Sequence, residues 1–202
     1  GNLPSGGRRE TWRDEGVIPP RGVQERVLHR GAEPKGMVEM VFMARREWSW
    51  PAEVAMDALV DVLRIRLRET IREDMSGTYG MRVGGGLSRI PYGYHQLTVG
   101  WGCDPGRVDE LTEAVWTQLR DIAANGPDPE TLAKVAETWR RDDETNLKRN
   151  DYWLGELVRH QRVGTDPRLI LQGAALADGL SADVVKEAAR AVIDPENVVK
   201  VV

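Results

Sequence analysis

Met56, Val60, Leu63, Leu67 and Ile71 step along the chain by four, three, four and four. That spacing puts all five side chains on one face of a helix. The stretch opened by Pro51 is therefore read as a helix of roughly 22 residues whose apolar face needs a partner. A partner is written on both sides of it. Residues 37–44, Met-Val-Glu-Met-Val-Phe-Met-Ala, are nearly continuously apolar, as in a buried strand. Residues 94–102 alternate His95, Leu97, Val99 and Trp101 against Tyr94, Gln96, Thr98 and Gly100, the two-residue period of a strand with two unlike faces. Further strands are expected at about 23–30, 78–87 and 198–202.

Later helices are marked by their caps. Asp104-Pro105, Asp128-Pro129 and Asp166-Pro167 each pair an N-cap with a first-turn proline, and Ser181 caps a fourth helix. Val108, Leu111, Val115, Leu119 and Ile122 form a second helical stripe, ending near Gly126. Asn146 and Asn150, with Tyr152-Trp153, read as a turn between helices. The order is strand, strand, helix, strand, strand, several helices and a last strand. It predicts an α+β fold, a mostly antiparallel sheet with helices packed on one face. Residues 1–22, rich in Gly, Pro and charge and ending in Pro19-Pro20, read as a linker or arm, and 23–202 as a single domain. The opening Gly1-Asn2-Leu3-Pro4 reads as a chain cut from something longer.

Composition narrows the function. A net charge of -4 and a pI near 5.5 argue against general nucleic-acid binding. No apolar run approaches the roughly 18 residues that suggest a membrane span. Cys103 is the single cysteine, so neither an internal disulfide nor a cysteine-based zinc site is available. His29, His95 and His160 are far apart, and no His-x-x-Glu-His or His-Glu-x-x-His string is present. A hydrolase resting on His95 with an Asp or Glu has only isolated residues behind it. Asp142-Asp143-Glu144 lacks the oxygen spacing and turn glycine of a calcium loop, and Gly84-Gly85-Gly86 lacks the Lys-Ser/Thr of a phosphate loop. The first reads as a solvated helix face, the second as a bulge or mobile strand end. Cys103 reads as semi-buried, and Trp48 and Trp50 as core or interdomain packing.

The long helix runs into Arg72-Glu73-Asp74-Met75-Ser76-Gly77-Thr78-Tyr79-Gly80. An arginine and a tyrosine seven positions apart across a glycine can present two strong donors to a peptide carbonyl. The same residues have plain structural uses. Arg72 near a helix C-terminus interacts with the dipole and can pair with Glu69, while Tyr79 can pack on a neighbour in a strand.

Several segments in order carry a family resemblance: Leu67-Arg68-Glu69-Thr70-Ile71-Arg72-Glu73-Asp74 with Gly77-Thr78-Tyr79-Gly80; Ser88-Arg89-Ile90-Pro91-Tyr92; Gly102-Cys103-Asp104-Pro105; and Arg141-Asp142-Asp143-Glu144-Thr145-Asn146-Leu147-Lys148-Arg149-Asn150 with Tyr152-Trp153-Leu154. The chain resembles the C-terminal part of a zinc metalloprotease of the pitrilysin–insulinase family, the inverzincins, in its bacterial members. The resemblance implies the LuxS/mitochondrial-processing-peptidase-like metallohydrolase fold. It implies a zinc-dependent metalloendopeptidase parent whose homologous domains enclose a peptide substrate. Zinc is then expected in the parent's N-terminal domain or a partner subunit and none in this chain, which lacks the zinc motif and has no catalytic residue of its own. Arg72 and Tyr79 are implied to bind substrate and stabilise the transition state at that zinc site. The alternative is a scaffold or peptide-binding subunit of an inactive family member. A bacterial parent is expected in the periplasm or otherwise outside the cytoplasm.

Overall fold

The computed structural model describes residues 7, 11, 13, 15–31, 33–74 and 80–202, with residues 72–74 described by their backbone alone. Strands β1 (Gln24–Arg26), β2 (Gly36–Arg45), β3 (Gly80–Ser88), β4 (Tyr94–Cys103) and β5 (Val198–Val201) form one sheet in the order β1-β5-β2-β4-β3. All neighbours are antiparallel except β1 and β5. The helices are α1 (Trp50–Leu67), α2 (Val108–Asn125), α3 (Pro129–Asn146), α4 (Asn150–Val163), α5 (Gly173–Asp178) and α6 (Ala182–Val192). α1 continues without a break into a π-helical segment, Arg68–Asp74. The expected α+β architecture is the one observed.

One face of the sheet makes the core. Val38, Met40 and Phe42 of β2, and Leu97, Val99, Trp101 and Cys103 of β4, are buried against α1, α2 and α6. All five residues of the α1 stripe are buried, and so are Leu111, Val115, Leu119 and Ile122 of α2. Each fully buried leucine or valine of this kind contributes roughly 1.5–3 kcal/mol of transfer free energy. Gly85 lets α1 come close, because a Cβ there would lie 2.9 Å from the Met56 methyl and 2.4 Å from the Gln96 carbonyl oxygen. Gly126 ends α2 at a φ of 78°, a left-handed value that favours glycine.

Several local expectations are corrected. β2 is not buried on both faces: Met37 is exposed and Val41 and Met43 are only partly covered, because no helix packs on their side. Only Gln24–Arg26 of the first expected strand is regular, and all three residues are exposed, since the strand pairs on one side alone. The triple glycine is no bulge; Gly84, Gly85 and Gly86 pair in register with Thr98, Leu97 and Gln96. Cys103 is fully buried. The turn expected around Asn146–Trp153 is shorter, and Asn150 already begins α4. That helix escapes an apolar-stripe reading because Leu154, Leu157 and Val158 face outward and only His160 is buried. Residues 15–22 hold no helix or strand, but the Tyr92 hydroxyl donates to the Val17 carbonyl and the Gly22 N–H to Asn197 Oδ1 at 2.8 Å.

Candidate functional site

The backbone of Arg72 lies in the π segment that prolongs α1. Its side chain, and Tyr79 altogether, lie outside the described residues. What the structure gives is the frame on either side of them: Asp74 ends the π segment, and Gly80 opens the edge strand β3, paired with Gly102. A π segment widens the helical turn and changes which way successive side chains point, a device frequent at functional sites.

The base of this segment is tightly held. Leu67 and Ile71 are fully buried. Arg66, one turn earlier, donates from Nη1 to Asp128 Oδ2 at 2.9 Å, and from Nη2 to Asp121 Oδ2 and Gln118 Oε1, both at 3.2 Å. One guanidinium thereby ties the end of α1 to α2 and to the N-cap of α3. Asp128 also accepts from the Thr131 N–H at 2.8 Å, and that bond foremost holds its carboxyl below the usual range, with Arg66 assisting. Glu69, the helical partner considered for Arg72, pairs with Lys134 of α3 at 3.0 Å.

The remaining sequence candidates are structural in their surroundings. His95 is buried and its Nδ1 has no partner; burial, then the charge of Arg46, pushes its pKa down to about 4. The Asp or Glu that a His95-based hydrolase needs is not hydrogen-bonded to it among the described residues. Asp142 and Glu144 are exposed on α3. Trp48 and Trp50 belong to this domain's own packing: Trp48 Nε1 donates to Glu53 Oε2 at 2.8 Å, and Arg159 lies over Trp50 at 5.2 Å from the ring centroid.

A second stripe of α1 escaped the apolar pattern. Trp50, Val54, Asp57, Asp61 and Arg64 recur at steps of four, three, four and three, beside the buried stripe. They line a groove of about 550 Å³ together with Gly84 and Gly85 of β3 and Trp139 of α3. The signal for it was the run Glu53, Asp57 and Asp61, three carboxylates at four-residue spacing on one helix, where like charges repel.

The comparisons agree with this architecture. The probable zinc protease PqqL of Haemophilus influenzae is 30% identical over 112 residues, which is 55% of this chain and 12% of that protein. The chloroplastic stromal processing peptidase of Arabidopsis thaliana is 29% identical over 116 residues, 57% of this chain and 9% of that protein. The chain thus spans a small fraction of the length of either relative. The crystal structure of the periplasmic protease PqqL from Escherichia coli superposes with a TM-score of 0.77 at 18% identity, over 90% of this chain and 20% of that one. The model of the peptidase M16 inactive domain matches residues 1–138, and the chain belongs to that family of zinc-protease domains.

Proposed function

We propose that this chain is the non-catalytic C-terminal domain of a zinc metalloendopeptidase, helping to enclose peptide and offering Arg72 and Tyr79 to a zinc site carried elsewhere. The observation that carries this is the place of the Arg72–Tyr79 stretch in a domain of the inactive M16 type. It joins a helix clamped by Arg66 to the edge strand β3. Among the described residues no three His, Cys, Asp or Glu side chains gather as a metal site.

Zinc in such a centre activates the attacking water and polarises the carbonyl. The share proposed for this chain is different in kind. A phenol O–H and a guanidinium supply directed donors where negative charge develops on the carbonyl oxygen. Arginine also grips backbone carbonyls without reading side chains, which suits recognition by conformation. A periplasmic or other extracytoplasmic setting for a bacterial parent belongs to the same proposal, supported by the periplasmic description of the Escherichia coli relative. Residues 1–22 are proposed as the arm from a preceding domain.

The test is made in the full-length parent. Arg72→Ala and Tyr79→Phe are each expected to lower kcat/KM by about 10²–10³-fold, the scale of losing one oxyanion donor, with the melting temperature kept. Full activity in both variants would remove the assignment.

A further inference from the structure

The groove beside β3 has an unusual charge arrangement. Of the three carboxylates spaced by four on α1, the outer two are neutralised. Glu53 Oε1 pairs with Arg159 Nη1 at 3.0 Å, and its Oε2 accepts from Trp48. Asp61 Oδ1 pairs with Arg64 Nη1 at 2.5 Å, and its Oδ2 accepts from Trp139 Nε1 at 2.8 Å. Asp57, between them, has no hydrogen bond or ion pair among the described residues, and it is exposed to the groove.

The groove has a peptide-sized character on its other walls too. Its aromatic lining is Trp50, Trp139 and Tyr152. β3 is the outermost strand, with β4 on one side only. The Val83 carbonyl is taken by Arg64 Nη2 at 3.3 Å; Gly84 and Gly85 follow it in the groove wall, with open space where a Gly84 Cβ would stand and Met56 filling that place at Gly85. An edge strand with bare backbone is a template for an added strand. Trp50 already carries Arg159, and the aromatic faces of Trp139 and Tyr152 beside an unpaired carboxylate favour a cation.

We propose that this groove binds an extended peptide segment along β3 and seats one of its arginine or lysine side chains on Asp57, between Trp139 and Tyr152. This seat is built from described residues alone and uses neither Arg72 nor Tyr79.

The groove also makes binding depend on pH. Although Asp57 keeps one side open to solvent, the groove walls dehydrate the rest of its surroundings, and this, then the like charges of Glu53 and Asp61, push its carboxyl up to about 7, with Glu156 adding to the rise and Arg159 opposing it. Arg64 of α1 and Tyr152 of α4 complete the titratable and charged groups around it. A bound cation favours the ionised carboxylate, so affinity for a basic peptide rises with pH through this range.

Calorimetric titration of the 202-residue chain tests it, using two N-acetylated, C-amidated octapeptides of valine and threonine that differ only in a central arginine or citrulline. The arginine peptide is expected to bind about tenfold more tightly at pH 8, less so at pH 6. The preference should vanish in Asp57→Asn and in Asp57→Ala, and persist in the Arg72→Ala, Tyr79→Phe double variant. Equal affinity for the two peptides, no binding of either at millimolar concentration, or an arginine preference kept by both Asp57 variants overturns the proposal. Loss of the preference only in the double variant overturns it as well, and assigns the peptide to the other site.

Discussion

His95 shows how one side chain can set the acid limit of a small domain. It points into the core from β4, buried, with Nδ1 unpaired and its pKa near 4. The unfolded chain takes up the proton near 6.5, the folded one only near 4. Stability is therefore complete above pH 6.5 and is lost as pH falls toward 4, by about 3 kcal/mol from this residue. His160, also pushed down by burial, acts in the same direction. Urea unfolding between pH 7 and 4 should show this slope, and His95→Leu should flatten most of it. The alternation of β4 placed His95 on the buried face from the sequence alone. Its hydrogen bond to the Val192 backbone and the lone Nδ1 were not legible, because nothing in a strand's period says which polar groups the packed helix brings along.

At the level of elements, α1 does two jobs with two adjacent stripes. The apolar one was legible because burial follows a fixed period. The polar one was not, since Asp57 and Arg64 are also what a solvated face looks like until Gly84, Trp139 and Tyr152 are placed opposite. The Arg66 clamp was equally hidden, joining residues more than fifty positions apart in sequence. Arg66→Ala should leave Asp121 and Asp128 facing each other uncompensated and cost about 1–3 kcal/mol in urea unfolding. In the full-length parent the same change is expected to lower turnover although Arg66 itself touches no substrate. Arg66→Lys should recover only part of both, as one ammonium cannot reproduce the fork.

For the molecule as a whole, the sheet and its helical cover followed from pattern, while the pairing order did not: β5 slots between β1 and β2, a contact spanning nearly the entire chain. The proposed separation of donors from metal leads to a further expectation. The isolated 202-residue chain should bind no zinc in equilibrium dialysis and cleave no peptide, and activity should appear only with the zinc-bearing region of its parent. The parallel pairing of β1 with β5 has a mechanical meaning. β1 forms one edge of the sheet and β3, which opens at Gly80, the other, four strand spacings or about 19 Å away. If residues 1–22 act as the proposed arm, their pull enters the sheet at β1 and, through the Val17 carbonyl, at Tyr92 just before β4.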